Sequence, residues 1–475
     1  MEQTIKQTRT KHMTEGSPLR LLFLFSLPLM AGNLCQQLYT VVDTAVVGKQ
    51  LGVDALAALG AVDWLNWLVL SVIQGFAQGF AILMAQQFGA GNYHRLRQVV
   101  TNSIVLAVIC AIGMTAVGQG CARAVLELLH TPAESQPVSI AYLRVLFAGT
   151  PVVMAYNFCA SVLRSLGDGK NPLLAMVIAS VVNITLDFLF VMGFGWGVQG
   201  AAAATVLAQL ISVGFCLMQL KKIAVLRLSK EDWKMERPLM GHLLMLGIPM
   251  AFQNMVISVG GMIVQTVING FGVVFIAGFT ATNKLYGLLE TAATSYGYAM
   301  VTYAGQNLGA GRKDRISQGM RAGLFISFVT SLVITVLMLV LGPQILSLFI
   351  ADSAKNGGEV LAIAYRYLRI MSICLAILYV LHVTRSCIQG MGNTVLPMVS
   401  GIAEFVMRTG AALILPRLLG EDGIFYAEIL AWLGADLVLV PSYFYMMRKL
   451  QRTRNKEIKQ WLEEERDQGL IRILW

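Results

Sequence analysis

The sequence predicts an all-α polytopic membrane protein in which twelve transmembrane helices form two parallel six-helix repeats around a central cavity. Three observations predict it. Of 475 residues, 56% are hydrophobic and only 13% charged, where an ordinary soluble domain carries about 25% charged residues. The apolar residues gather into runs long enough to cross a ~30 Å hydrocarbon core, which takes about 20 residues of helix. Short motifs in the first half recur in the second at nearly constant offset. Such a composition cannot cover a water-facing surface, and it excludes a soluble enzyme, a disordered chain and a nucleic-acid-binding domain.

A polar tail over residues 1–18 comes first. The run that follows, from Leu19, is long enough to span, so a cleaved signal peptide is not expected. Spans are expected at 19–46, 55–84, 98–120, 139–163, 172–193 and 200–220, which make a first lobe over 19–220. A charged linker over 221–240 leads to spans at 241–268, 273–304, 320–343, 361–387, 396–415 and 425–447, a second lobe over 241–447. The second and eighth spans are long, as tilted helices are. Residues 448–475 form a mixed-charge, solvated tail.

The net charge of +10 would suggest polyanionic partners in a soluble protein. Here it is an orientation label. With both termini on one side, that side collects 26 Lys and Arg, against four on the other (Lys49, Arg123, Lys355, Arg417). Positive residues accumulate on cytoplasmic loops, so a multi-pass cell-membrane protein with both ends cytoplasmic is expected. The seven Cys are scattered through apolar runs without CxxC spacing, and the five His do not cluster. Neither a disulfide framework nor a His/Cys metal site is indicated. No GxxxxGK[ST], HExxH or GxSxG pattern occurs, so no enzyme and no cofactor is expected. Gly167-Asp168-Gly169-Lys170 reads as a tight turn.

The repeats fix the architecture. Pro28 and Asn33 recur as Pro249 and Asn254, Gly89-Ala90-Gly91 as Gly309-Ala310-Gly311, and Gly167-Asp168-Gly169 as Gly390-Met391-Gly392. The first two motifs are 61 residues apart in one half and 60 in the other; the next two are 78 and 81 apart. Each half has an even number of spans, so both enter from the same side and the repeat is parallel. Two such lobes can rock about a cavity between them.

Polar groups at bilayer depth are costly, about 2.5–3.5 kcal/mol for an Asp at a helix centre. They are therefore candidates for a site. Asn33, Gln36, Thr40 and Asp43 share one face of the first span, spaced 3, 4 and 3. The fifth span repeats the device with Ser180, Asn183 and Asp187; the sixth offers Thr205, Gln209 and Ser212, and the fourth Asn157 and Ser161. Ser180, Ser212 and Gln209 read best as hydrogen-bonding glue between helices. The two carboxylates and the neutral oxygens suit Na⁺ or a proton. The second half does not copy this stripe. Glu404 and Arg408, one turn apart, are most simply a salt bridge, whereas Lys284 and Glu290 lie six apart on different faces. Lys284, Glu404 and Arg408 are a possible second-lobe site.

The chain at this point resembles the multidrug and toxic compound extrusion (MATE) family, nearest its DinF-like branch. The resemblance runs from Leu19 to Met447 and rests on SLP at 26–28, VVDTAVVG at 41–48 and the QxxGAG-type ends at 86–91 and 306–311. RSLGDGKNP at 164–172 and NITLD at 183–187 add to it. It implies a two-lobed exporter of organic cations and other amphipathic compounds, driven by inward H⁺ or Na⁺. It also implies an ion-coupling site at Asp43, Asn183, Asp187 and Thr205, with Asn157 in the cavity. Other branches use acids in spans seven and ten; span seven here has none. The reading is thus a secondary antiporter working by alternating access, with Asn33, Gln36, Thr40 and Asn157 lining the substrate cavity. A monomer is expected, with small amphipathic molecules and the bilayer as its partners and no nucleic acid. A flippase of a lipid-linked precursor is the alternative, kept open by Arg408 and Lys284.

Overall fold

The structure, a computed structural model, describes the backbone of residues 11–128, 136–348, 350 and 357–467 and, within these, all side chains except those of 38–64, 125, 128 and 453–467. No strand occurs among the described residues. The helices are α1 (Pro18–Gly89), α2 (Tyr93–Leu128), α3 (Gln136–Ser165), α4 (Lys170–Asp187), α5 (Gly197–Lys221), α6 (Arg237–Ile268), α7 (Val273–Gly309), α8 (Lys313–Ser347), α9 (Gly357–Ile373), α10 (Leu375–Gly390), α11 (Val395–Leu419) and α12 (Tyr426–Asp467).

A straight helix of the 72 residues in α1 would run about 108 Å, over three times the hydrocarbon thickness. Yet both of its ends reach the same residue. Met13, just before α1, donates its backbone N–H to Gln306 Oε1 at 2.8 Å, and Gly89, at its far end, abuts the Gln306 backbone. The helix therefore folds back on itself as two spans, Pro18–Gln37 and Leu65–Gly89. Among the described residues ten segments are single spans by length and apolarity, and α9 with α10, bent by 49° at Cys374, makes an eleventh. The twelfth is α7, 37 residues or about 55 Å long. It carries Lys284, Glu290 and many Thr, Ser, Asn and Gly, and it tolerates them because more than half its residues are buried against the first span, α8, α9 and α10. Helix α8 shows the opposite surface: Phe325, Phe328, Leu332, Val336 and Val340 are all exposed, an apolar band that suits hydrocarbon and not water.

Two lobes face each other, and their cores interpenetrate. Leu22, Phe25 and Leu29 of the first span are buried in the second-lobe core. Leu239, Leu243, Leu246 and Met250 of α6, the repeat partner of that span, are buried in the first-lobe core. The motifs that recur in sequence make this exchange reciprocal. Asn33 donates to Ser295 Oγ of α7 at 3.2 Å, while Asn254 donates to the Ser71 carbonyl at 3.2 Å. Gly89 packs on the carbonyl of Gln306, and Gly309 on the carbonyl of Gln86. Gln86 then donates to the Gly390 carbonyl at 3.1 Å and Gln306 to the Ser165 carbonyl at 2.9 Å. A side chain at either glycine would collide with the opposite backbone, so only glycine allows this approach.

The linker between lobes is pinned to α2. Asp232, fully buried, accepts from the Ser229 N–H and hydroxyl (2.7 and 2.8 Å) and from Arg97 Nε at 3.1 Å. Burial opposes its charge, but the Ser229 bonds and the Arg97 guanidinium prevail and hold its carboxyl below the ordinary carboxylate range. Asp168 likewise accepts the Lys170 and Asn171 N–H groups (3.1 and 3.0 Å) and closes the turn into α4.

Candidate functional site

A polar cavity of about 150 Å³ lies in the first lobe, with Tyr298 of α7 contributing to its wall. Asn33 and Gln36 of the first span, Asn157 of α3, and Thr205 and Gln209 of α5 all line it, joined by Asn66, Gln74, Thr150 and Arg164. The polar stripes legible on separate helices thus meet in one space. Asn157 also donates to its own helix, to Val153 O at 2.9 Å, and Arg164 lies over the Tyr298 ring at 4.7 Å. Ser180 and Ser212 do not reach the cavity; they bond to the backbone of α4, at Met176 O (2.9 Å) and Ala175 O (2.8 Å).

Behind the wall at Thr205 is the acidic group. Asp187 is 0% and Asn183 2% exposed. Asn183 and Asp187 are four apart, so α4 stacks them on one face. With its amide oriented to suit its neighbours, Asn183 donates to Asp187 Oδ2 and accepts from the Thr205 N–H, both at 3.3 Å. In that orientation the Asn183 amide oxygen also lies 3.3 Å from Thr205 Oγ1. Asp187 ends the α-helix: the next six residues, Phe188–Gly193, form a π-helical turn, a widening common at functional sites. One carboxylate with a carboxamide and a hydroxyl is a set of hard oxygens that suits a monovalent cation or a proton. Among the described residues no three of His, Cys, Asp and Glu are placed to hold a metal ion. The side chains of Asp43 and Thr40 lie outside the described residues.

The second lobe holds a larger cavity, about 740 Å³, walled by α6, α7, α10, α11 and α12 and by Trp67. Glu404 and Arg408 do pair, at 2.9 Å. They belong to a larger network that residue spacing did not reveal: Arg385 of α10 bonds Glu404 at 2.6 Å, and Arg408 bonds Glu428 of α12 at 2.8 Å. Two guanidiniums thus match two carboxylates, all largely buried. Glu290 faces the same space with His382 at 3.4 Å. Lys284 does not join them. It is exposed on α7 and lines neither cavity, because it points away from the face that carries Tyr286 and Glu290.

Two six-helix lobes enclosing polar cavities near mid-bilayer depth are the architecture of a membrane transporter. The sequence profile of the MatE family matches residues 28–189 and 249–414, one block in each lobe. The chain therefore belongs to the MatE family of membrane transporters. It is 31% identical to the probable multidrug resistance protein YpnP of Bacillus subtilis (strain 168), over 86% of this chain and 91% of that one. It is 28% identical to the probable multidrug resistance protein YoeA of the same organism, over 96% and 99%. A solved MATE family transporter described as outward-facing superposes with a TM-score of 0.87 at 23% identity, covering 94% of this chain and 100% of that one.

Proposed function

We propose that the protein is a secondary antiporter of the cell membrane that exports amphipathic, mostly cationic compounds in exchange for H⁺ or Na⁺, with both termini cytoplasmic. The observation that carries the reading is the buried Asp187–Asn183–Thr205 group set against a polar cavity to which four helices of the first lobe contribute. Asp43, on the span that also carries Asn33 and Gln36, completes the coupling site in this reading. Substrate binds from the cytoplasm while the first-lobe carboxylates lack the driving ion; the ion then enters from outside and shifts the equilibrium between lobe arrangements. One charge moving down 100 mV supplies about 2.3 kcal/mol, a roughly 40-fold gradient. The names of the B. subtilis relatives support drugs as the substrate class.

The test is dye efflux from a sensitive host. Asp187→Asn keeps the size of the side chain and removes its charge, so it should abolish efflux while membrane insertion and melting temperature stay intact. Efflux at the parental rate in both Asp187→Asn and Asp43→Asn would refute the site. The same assay with and without Na⁺ identifies the ion.

A further inference from the structure

A third cavity, about 640 Å³, is built wholly from the first lobe and the linker: α2, α3 and α5 wall it, and residues 226–228 cap one end. Its back is buried at Ala107 and Ala111, whereas Val108, Ile112 and Leu217 at its mouth are exposed on the lipid-facing surface. It therefore opens sideways into the bilayer and not into the space between lobes. Its lining is hydrocarbon apart from the Cys159 thiol and two cations, Lys221 and Arg227, both at the linker end. That end stands where α5 leaves the membrane. The neighbouring Arg95 and Arg97 are paired, with Glu236 at 2.7 Å and Asp232 at 3.1 Å. Lys221 and Arg227 have no carboxylate within ion-pair distance among the described residues, and both side chains are exposed.

An apolar groove open to hydrocarbon is filled by acyl chains, which are as apolar as its Leu, Ile and Val lining. Two unmatched cations at the interfacial end of the same groove complement a phosphate, and basic pockets at this depth favour anionic headgroups. We propose that this groove binds an anionic phospholipid, with an acyl chain between α2, α3 and α5 and the headgroup phosphate against Lys221 and Arg227. Because the two cations come from different elements, the end of α5 and the linker, the bound lipid fastens the linker to the first lobe. The inference is independent of the ion-coupling reading.

The test uses the full chain in nanodiscs made from equal amounts of phosphatidylglycerol and phosphatidylcholine, with native mass spectrometry counting lipids retained after release. Each cation near an anionic headgroup contributes about fivefold to binding, so Lys221→Gln/Arg227→Gln should weaken phosphatidylglycerol retention roughly 30-fold, to the level of phosphatidylcholine. The control Lys222→Gln/Lys230→Gln removes the same charge from residues that do not line the groove and should retain phosphatidylglycerol as the parent does. Equal retention of the two lipids by the parent overturns the proposal. So does equal phosphatidylglycerol retention by the parent and the Lys221/Arg227 variant, or an equal loss in the control.

Discussion

Gly89 and Gly309 should govern how readily the lobes part at the terminus-bearing end. At Gly89 the three nearest atoms to an added Cβ all belong to Gln306, and at Gly309 all belong to Gln86. Each clash is thus with the other lobe, and with backbone that cannot rotate away. Inserting a methyl group into packing this tight costs about 1–3 kcal/mol. The penalty falls only on the arrangement in which the two ends touch, since neither lobe's own packing is invaded. A cost of about 2 kcal/mol shifts the balance toward the parted arrangement roughly 30-fold. The two sites adjoin, so the double variant should exceed either single change by less than the sum. The assay is maleimide labelling of Ala85→Cys, a buried residue on this seam, in a background whose seven native cysteines are replaced by alanine. Gly89→Ala or Gly309→Ala should raise the labelling rate by about the same 30-fold. Gly113→Ala, where an added Cβ meets nothing within 4 Å, should leave it unchanged. An unchanged rate in both seam variants, with each still monodisperse in detergent, would show that the contact does not separate during the cycle.

Arg408→Met should lower the melting temperature in detergent, because it removes the only partner that Glu428 has among the described residues while Glu404 keeps Arg385; stranding a buried charge costs about 3–5 kcal/mol, and adding Glu428→Gln should restore most of it. Gln306→Ala leaves the Met13 N–H and the Ser165 carbonyl without their partner, at about 1–3 kcal/mol each, and should speed trypsin cleavage after Lys11. Asp232, whose folded carboxyl titrates below its unfolded value of about 3.9, contributes stability that is complete above that pH and lost as pH falls through the lower folded value. Asp232→Asn should therefore melt earlier than the parent at pH 7, and the two melting curves should converge in acid.

The spans were legible because apolar runs need no knowledge of partners. α7 was legible too, as the eighth run, but its polarity made sense only once its burial between neighbours was known. The repeats announced equivalence and not contact: nothing in the offset between Gly89 and Gly309 says that each meets the other lobe's glutamine. Asn183 with Asp187, and Glu404 with Arg408, could be read from a spacing of four, because one helix turn brings them together. Arg385 and Glu428 join the second network from other helices, where chain spacing carries no geometric meaning. The same limit placed Lys284 beside a site it does not reach, and no composition cue marks the π turn after Asp187.

The two lobes share a scaffold and differ in their charge. In the second, the acids Glu404 and Glu428 are held by Arg385 and Arg408, and arginine stays charged at any physiological pH. That network is balanced within itself, two guanidiniums against two carboxylates. In the first lobe Asp187 accepts from the neutral Asn183, which in turn meets Thr205; in the proposed coupling, an arriving cation would change the charge there. An ion can bias a conformational equilibrium only through unequal affinity for the two arrangements, and the proposed coupling assigns that inequality to the Asp187 group. Asn33 and Asn254, Gln86 and Gln306, and the two glycines bind the lobes reciprocally, so the contacts of one repeat cannot part without those of the other. Under the proposed coupling, a charge change confined to the first lobe would be felt across the whole seam, without a second ion site.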